Sequence, residues 1–380
     1  MIKWLFKYGA AIFLFNTVLL NIKSTYYIGD LIFLSLMGIF LFFLIINPIQ
    51  IKTILFHKAF SFLLLINSMN LLYFLLFHSI FDFEAIKFLM SRGLQFSIIS
   101  VSIYFNYEYY KDKFLNHIVY LVFGIIVFSF LLDPFIFSGR YTGVVWNSNM
   151  LAAFTVTAFS ILLLKNDKQT KLDSFILFSL LVISLSTGSR LVLVAIGLVL
   201  LMKYGFSPRN IFYSVISLVL TLIIISVNLD TSLNRFVAQS LFNDRLFQYQ
   251  YAYETFLQKP LFGYGLDKYA YIDLSLVPSH IFATHTVMGA HNGYLAFFTQ
   301  YGFLFGAITL FIIFRKSIQL YSYFRNSKDS EKVFLFIIIY TLVASIFETY
   351  ITGINEFNTI LFWFSLAILS YSKFKEEYEV

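Results

Sequence analysis

The chain lacks cysteine altogether and has only five prolines and 12% charged residues among its 380 positions. Without cysteine there can be no disulfide, no thiolate nucleophile and no thiolate metal site. A soluble globular domain carries about a quarter charged residues, so this chain has too few polar side chains to cover a water-facing surface. The prolines fall between long apolar runs or at their ends, which favours uninterrupted helices within the runs.

Apolar residues make up 59% of the chain. They occur in runs close to the roughly 20 residues that cross a hydrocarbon core as a helix. Because no water is present in that core, each run must satisfy its backbone hydrogen bonds internally. The sequence therefore predicts an all-α, polytopic membrane protein of about twelve transmembrane helices. The predicted spans are residues 4–20, 28–46, 59–77, 88–105, 117–132, 148–164, 174–188, 190–203, 211–228, 291–314, 333–349 and 358–372.

Basic residues set the predicted topology. With a cytoplasmic N-terminus, 18 of the 27 Lys and Arg residues fall on the inner side, as the positive-inside rule requires. Both termini are then cytoplasmic, and no cleaved signal peptide is expected. The net charge of +7 is spread over short loops, which does not indicate nucleic acid as a partner. The chain divides into N-terminal transmembrane helices (1–132), central transmembrane helices (133–228), a large outer loop (229–290) and C-terminal transmembrane helices (291–380).

The large outer loop is far longer than a connector needs to be, and such loops are usually functional. Residues 244–259 within it predict an amphipathic helix, because Leu246, Tyr249, Tyr253 and Phe256 recur at helical spacing. Pro260 would end this helix, and the Gly-Tyr-Gly sequence at 263–265 predicts a sharp turn.

Four ionisable residues share one predicted depth at the outer boundary of the membrane: Arg140, Arg190, Arg245 and His291. An ionisable group facing a helix bundle at that depth is costly, so it is a functional hypothesis by default. Arginines bind a dianionic group through a planar fork of donors. They would suit the diphosphate of a lipid-linked sugar and would stabilise the charge that develops as the sugar–phosphate bond breaks. A histidine can remove a proton from an attacking hydroxyl near neutral pH, and His291 is the candidate.

Each of these residues also has a simpler interpretation. Arg190 could be a helix-end residue whose charge reaches the interface, and Arg140 and Arg245 could be solvated loop charges. His291 could be an ordinary residue before a helix. The grouping of three arginines and a histidine on one side is a stronger signal than any member alone. His280 and His285 in the same loop are expected to be structural or peripheral.

No metal site is predicted. The acidic residues assigned to the outer side are scattered and form no DxD-type pair. They are Asp82, Glu84, Asp133, Asp230, Asp244, Glu254, Asp267, Asp273 and Glu356. Walker, GxSxG and HExxH motifs are also missing from the sequence.

Four local patterns resemble the O-antigen ligase and O-antigen polymerase superfamily of bacterial membrane glycosyltransferases. They occur in the family's order, with the large loop between the last two, and cover about residues 130–310. They are Gly139-Arg140-Tyr141-Thr142-Gly143 with Asn147-Ser148-Asn149, then Ser186-Thr187-Gly188-Ser189-Arg190, then Arg245 through Pro260-Leu261-Phe262-Gly263-Tyr264-Gly265, and His291-Asn292-Gly293-Tyr294-Leu295 followed by Gly302 and Gly306.

The resemblance implies a GT-C-like, all-helical enzyme of the bacterial inner membrane whose active site faces the periplasm. It implies an undecaprenyl-diphosphate-linked glycan as donor and no cofactor or metal. Catalytic roles are implied for Arg190 and Arg245, which would hold the diphosphate, and for His291, which would activate or position the acceptor hydroxyl. Substrate-binding residues would be Arg140, Asn149, Tyr264 and Asn292.

The superfamily contains two activities. A polymerase transfers the growing glycan to a lipid-linked repeat unit, and a ligase transfers it to lipid A–core. The polymerase is the favoured interpretation here, and a chain-length regulator protein is a possible partner beside the membrane lipids. The alternative from another class is a flippase of the same lipid-linked glycan. A flippase needs charged residues along a path through the bilayer, whereas the polar residues here collect on one face.

Overall fold

The computed structural model describes residues 2–165, 169–205, 207–213, 215–216, 219, 245–284, 289–327 and 329–378. Named helices in these ranges follow in chain order. They are α1 (Ile2–Asn21), α2 (Tyr26–Ile46), α3 (Pro48–Leu55), α4 (Ser61–Phe77), α5 (Phe83–Asp112), α6 (Phe114–Leu132), α7 (Ser148–Lys165), α8 (Lys171–Ser186), α9 (Arg190–Tyr204), α10 (Arg245–Gln258), α11 (Ser279–Thr284), α12 (Gly293–Phe324), α13 (Asp329–Ala344) and α14 (Phe357–Tyr378). Short 3-10 turns cover Lys58–Phe60 and Leu274–Leu276.

Helices of membrane-spanning length confirm the predicted class, an all-α polytopic membrane protein. Seven helices in the described ranges are long and apolar enough to cross a bilayer: α1, α2, α4 with the turn before it, α5, α6, α7 and α12. The count of twelve spans stays a prediction, since α8, α9 and α13 have only 15 or 16 residues. The predicted span 211–228 lies largely outside the described residues.

Two helices form the centre of the bundle. Every residue from Leu151 to Leu164 in α7 is buried, and so is every residue from Phe357 to Ser372 in α14. A helix that is apolar and buried on all sides belongs to the interior of a bundle. The outer helices instead expose large apolar side chains such as Phe128 of α6, which is the surface that a lipid environment accepts.

The long helices run alternately up and down, so their connections collect at two ends. At one end, the backbone N–H of Tyr141 donates to the carbonyl of Ser186 over 3.1 Å. At the other, Lys111 pairs with Glu331 over 2.8 Å. We call the first the site end. It holds residues 133–147, 187–189, 259–284, 289–292 and 345–356.

A contact between Gly263 and Gly302, here called the glycine contact, joins the large loop to the longest helix. The 32-residue helix α12 is interrupted at Gly302, whose φ of 68° lies in the left-handed region. The N–H of Phe303 donates instead to the carbonyl of Pro260 over 2.7 Å. Gly263 has a φ of 70°, and a Cβ there would overlap the backbone of Gly302. The predicted sharp turn is thus present, and only glycine suits both positions.

Two sequence predictions differ in detail from the structure. The helix predicted over 333–349 ends at Ala344, so residues 345–349 form a separate connection. The helix predicted over 244–259 is present as α10, but its protein-facing side is Gln248, Tyr251, Ala252 and Thr255. The apolar residues of the predicted face include the exposed Leu246 and Tyr253, because the face that packs is chosen by contact with α12 and not by hydropathy.

Candidate active site

The connection between α13 and α14, residues 345–356, carries a carboxylate that gathers the predicted site residues. Glu348 is 11% exposed, and its Oε1 accepts from Arg245 Nη2 at 2.6 Å. The same oxygen accepts from Asn149 Nδ2 at 3.3 Å. Its Oε2 lies 3.3 Å from His291 Nδ1. One side chain thereby contacts three chain segments, which lie 57, 103 and 199 residues from it in the sequence. We call Glu348, Arg245, His291, Asn149 and Arg140 the Glu348 cluster.

The backbone at His291 is strained and held from several sides. His291 has a φ of 40°, a left-handed conformation that a residue with a Cβ rarely adopts. Immediately after it, the N–H of Gly293 donates to the carbonyls of Ser345 at 2.7 Å and Glu348 at 3.0 Å. A Cβ on Gly293 would crowd Ser345 and the Glu348 carbonyl, so glycine lets α12 begin against this segment. Strain of this kind persists where the surroundings over-determine a position, and such positions concentrate at functional sites.

Asn292 uses its side chain to fix this geometry. Its Oδ1 accepts from the N–H groups of Tyr294 and Leu295, each at 3.0 Å, which caps α12. Its Nδ2 donates to the carbonyl of Ile346 at 3.0 Å. The predicted substrate-binding residue therefore joins the start of α12 to the 345–356 connection and positions His291 beside Glu348.

Arg245 stands at the first turn of α10 and faces the same connection. Besides Glu348, its guanidinium binds the carbonyl of Phe347 through Nη1 at 2.6 Å. Four residues later, Tyr249 Oη donates to the carbonyl of Ile346 at 2.7 Å. The two contacts hold α10 against residues 346–348. Because a guanidinium has five N–H donors, these bonds do not exhaust its capacity for an anionic ligand.

Arg140 contacts Asn149 from a further segment, and Arg190 follows the turn that Arg140 binds. Arg140 Nη2 donates to Asn149 Oδ1 at 2.6 Å and its Nε to the carbonyl of Thr187 at 3.3 Å. Thr187 belongs to the turn that ends at Ser189, the residue before α9. The helix itself begins with the half-buried Arg190. Gly188 makes this turn possible with a φ of 61°. The structure therefore brings the Arg140 segment and the Arg190 turn together at the site end.

Opposing effects act on the pKa of Glu348, which lies beyond the last residue of α13. Burial raises it, but the hydrogen bond from His291 and the charge of Arg245 outweigh burial, so the pKa is below its usual value. Glu348 is then an ionised acceptor. An ionised Glu348 can accept a hydrogen bond from His291 Nδ1–H, and Nε2 is the ring nitrogen that this contact does not use. This is the arrangement of a carboxylate-oriented general base.

Tyr264, also predicted to bind substrate, lies apart from this cluster. Its backbone N–H donates to the carbonyl of Thr299 at 2.9 Å, and its ring packs on Tyr271 with centroids 5.0 Å apart. Lys259 Nζ lies 4.6 Å from the ring centroid. Within the described residues no contact joins Tyr264 to Glu348 or His291. Its backbone hydrogen bond supports the glycine contact between the loop and α12.

A buried arginine on α5 supports the other half of the 345–356 connection. Arg92 is 4% exposed, donates to the carbonyl of Thr352 and bonds Gln95 Oε1 at 2.9 Å. Gln95 in turn donates to the carbonyl of Ile354 at 3.1 Å. The ring of Trp363 lies 5.8 Å from the guanidinium. Two carbonyls that would otherwise be buried without donors are thereby satisfied.

A second carboxylate, Glu356, ends the connection. Its Oε1 accepts from Tyr269 Oη at 2.6 Å and its Oε2 from Thr359 Oγ1 at 3.1 Å. Tyr269 Oη also lies 2.7 Å from Thr349 Oγ1. Burial is the main effect on Glu356 and raises its pKa above the usual value. The pKa of Glu348 is thus lowered and that of Glu356 is raised, although both residues belong to one connection.

One group among the described residues has the residue types of a metal site: His78, Asp82 and Asp267. His78 Nδ1 lies 2.6 Å from Asp82 Oδ2, and Nε2 accepts from the N–H of Leu266 at 3.0 Å. A metal on Nδ1 would force a proton onto Nε2, where it would meet the Leu266 N–H. The hydrogen bonds of His78 therefore suit a structural role that holds the loop to α4.

Arg190, Arg245 and His291 lie within a region that matches a known family. Residues 174–312 match the family model described as O-antigen ligase. The match confirms the predicted resemblance to the O-antigen ligase and polymerase superfamily, whose members are membrane glycosyltransferase-like enzymes with lipid-linked glycan substrates. No curated protein matches the chain.

Sequence patterns do not single out Glu348 and Arg92. Glu348 falls within the predicted span 333–349 and Arg92 within the span 88–105. A charged residue in an apolar run is the signal that could identify both as functional. Both lie outside the region that matches the O-antigen ligase family.

Proposed function

We propose that this protein is a polysaccharide polymerase, which transfers a growing glycan from undecaprenyl diphosphate to a lipid-linked repeat unit. The supporting observation is the Glu348 cluster, which joins His291 to Arg245 and, through Asn149, to Arg140. Counted against the single negative charge of Glu348, the three arginines Arg140, Arg190 and Arg245 leave two positive charges, which match a diphosphate. Positive donors at the leaving group are what glycan transfer from a diphosphate requires.

The chemistry can be assigned to groups of this chain. His291 Nε2 removes the proton of an acceptor sugar hydroxyl, and the hydroxyl oxygen forms a bond to the anomeric carbon of the donor. The bond between that carbon and the phosphate oxygen breaks, and its electron pair leaves with undecaprenyl diphosphate. Arg190 and Arg245 hold the diphosphate as its negative charge grows. Glu348 stabilises the histidine cation that forms and keeps Nε2 pointed at the acceptor.

The reaction so written needs no cofactor, because the activated donor carries its own leaving group. Guanidinium charges take the place that a divalent cation has in enzymes using nucleotide sugars. In the proposed orientation the site end faces the periplasm and both termini are cytoplasmic. The lysines at the opposite end, among them Lys111 and Lys165, support this orientation through the positive-inside rule.

A ligase that transfers the glycan to lipid A–core is the second candidate, and the description of the matching family favours it. A flippase is less well supported, since the charged contacts described above lie at the two ends of the bundle and do not form a path between them. A partner that sets chain length fits the polymerase proposal.

Deletion of the gene in its own bacterium tests the proposal. For a polymerase, we expect loss of polymer while single repeat units remain attached to lipid A–core. For a ligase, attachment is lost altogether and lipid-linked polymer accumulates. Complementation with the wild-type gene should restore the pattern, and a variant with His291→Ala should not. Surface polysaccharide of normal amount and length in the deletion strain would reject both transferase functions.

A further inference from the structure

A polar cleft lies at the site end next to Glu356. Two adjoining cavities of about 230 and 310 Å³ share Phe88, Tyr269 and Asn355 in their walls. Glu84, Lys87 and Asp267 line the first and Glu356 the second. Lys87 Nζ lies 3.7 Å from Glu84 Oε2, and both side chains are exposed, so this pair is weak and Lys87 can still turn to an anionic ligand. Small-molecule sites begin at about 300 Å³, so the combined space accommodates a small ligand.

The lining of this cleft suits hydroxyl groups and a sugar ring. Aromatic faces from Phe88 and Tyr269 provide apolar walls, and the carboxyl and amide groups offer both donors and acceptors. Asn355 Oδ1 is buried and has no hydrogen-bond partner in the described part of the chain. A buried polar atom without a partner needs an explanation, and a ligand donor is one. Arginine, which dominates the Glu348 cluster, is not among the residues of this lining.

An apolar groove continues from the cleft along the bundle. It has a volume of about 290 Å³ and runs between α2 and α5, with Met37, Gly38, Met90 and Leu94 in its walls. It shares Lys87 and Ser91 with the cleft. Its lining on α5 extends from Phe83 to Leu94, about 16 Å along the helix at 1.5 Å per residue. Lys87 and Ser91 therefore lie on the boundary between the polar cleft and the apolar groove.

The cleft and the Glu348 cluster are physically adjacent. Tyr269 Oη binds both Glu356 and Thr349 Oγ1, and Thr349 is the next residue after Glu348. A ligand in the cleft would thus present its hydroxyls beside the segment that orients His291. The polar cleft, the charge of Lys87 and the apolar groove thus follow each other along one line. A sugar joined through a phosphate to a single isoprenoid chain has its groups in the same order.

We propose that the cleft and the α2–α5 groove bind the acceptor, a glycan linked through phosphate to one isoprenoid chain. Its sugar lies against Tyr269, Asn355 and Glu356, its phosphate at Lys87 and its chain in the groove beside Gly38. The proposal rests on the transferase function and sharpens it, because a groove for one chain fits a lipid-linked repeat unit better than a multi-chain lipid A–core.

Gly38 offers a direct test of the groove. A Cβ on Gly38 would meet no atom within 4 Å, so Gly38→Leu fills the groove without disturbing the fold. Gly124 on α6 is equally open, and Gly124→Leu is the matched control away from the groove. Lys87→Met removes the charge, and Lys113→Met at the opposite end is its control.

The probe is a diazirine-bearing geranylgeranyl diphosphate, photolysed with the full-length protein in phospholipid nanodiscs. We expect label on peptides covering residues 33–41 and 83–94, competed by unlabelled geranylgeranyl diphosphate and not by phosphatidylglycerol. Gly38→Leu and Lys87→Met should reduce this label at least about tenfold, and the two controls should retain it. Label elsewhere, unchanged label in Gly38→Leu, or competition by phosphatidylglycerol, which would mean bilayer lipid only, overturns the proposal.

The same variants separate this proposal from the proposed function. In a transfer assay with lipid-linked repeat units, Gly38→Leu and Asn355→Ala should raise the KM for the acceptor about tenfold and leave release of undecaprenyl diphosphate without acceptor unchanged. Specific label without any transfer by the wild-type protein would refute the transferase and leave the groove standing. Transfer that is indifferent to both substitutions would refute the groove and leave the transferase standing.

Discussion

Glu348 and Glu356 stand eight residues apart on one connection and have opposite surroundings. Glu348 meets Arg245 and His291, which hold its pKa below the usual value despite the opposing effect of burial. Glu356 meets the hydroxyls of Tyr269 and Thr359, and burial raises its pKa. The neighbours brought by distant segments, and not the residue type, therefore decide which carboxyl group is the ionised one.

The difference divides the site end into two halves. Around Glu348 the structure collects arginines, which suit a diphosphate. Around Glu356 it collects hydroxyl groups, aromatic rings and an amide, which suit a sugar. Arg92 and Gln95 hold the second half of the connection by its carbonyls, so the two halves keep a fixed relation. A reaction between a diphosphate-linked donor and a sugar hydroxyl would take place where they meet.

The largest expected effect follows from His291→Ala, which removes the base from the Glu348 half. We expect the transfer rate to fall by about 10²–10⁴, the usual contribution of a general base, with unchanged membrane insertion. His117 at the opposite end bonds Tyr109 at 3.0 Å, and His117→Ala is the control. Transfer at the wild-type rate by the His291 variant would remove the base from the proposed reaction.

Arg245→Ala and Arg190→Ala come next. Each should cost roughly 2–4 kcal/mol of transition-state stabilisation, as loss of one preorganised donor does. Lysine at either position should restore activity only partly, because it cannot provide the planar fork. Single-turnover rates with lipid-linked donor measure the effect, and Arg315→Ala on the far part of α12 is the control. If lysine restored full activity, a simple point charge would suffice and the fork geometry would be irrelevant.

Replacing either glutamate by glutamine tests whether the pKa values of Glu348 and Glu356 shift in opposite directions, because each shift changes how the stability of the protein depends on pH. Glu348→Gln should lower the unfolding temperature by several degrees at neutral pH, because it leaves Arg245 without its partner. Since the folded state lowers the pKa of Glu348, this penalty should shrink as pH falls below the ordinary value of 4.5. Thermal unfolding of the purified protein at several pH values measures both trends.

Glu356→Gln should behave in the opposite way. The folded state raises the pKa of Glu356, so the wild-type protein loses stability as pH rises above the ordinary value of 4.5. Glutamine resembles the protonated form and avoids that loss, so the stability of the variant relative to the wild type should increase as the pH rises. Parallel pH responses of the two variants would show that the halves do not differ in charge state.

The helical membrane fold could be predicted from the sequence. The residue types and short motifs also single out Arg140, Arg245 and His291, which the structure places in one cluster. Hydropathy and motif spacing are local properties, so they can be read without a structure. The partner of these residues, Glu348, could not be assigned, because its contacts join segments far apart in the chain. The prediction of the packing face of α10 was wrong for a related reason, because contact with α12 overrides the apolar periodicity of the helix.

The smallest expected effect is that of a chelator, which bears on both halves. A divalent cation in the Glu348 half would compete with Arg245 for the carboxylate, and the three arginines already supply charge for a diphosphate. In the described ranges the group with metal-ligand residue types is His78, Asp82 and Asp267, where both imidazole nitrogens are bonded. We therefore expect transfer by the purified protein to continue at an unchanged rate in excess EDTA. If EDTA instead abolished transfer and Mg²⁺ or Mn²⁺ restored it, a metal ion would bind the diphosphate. The arginines of the Glu348 cluster would then act together with that metal.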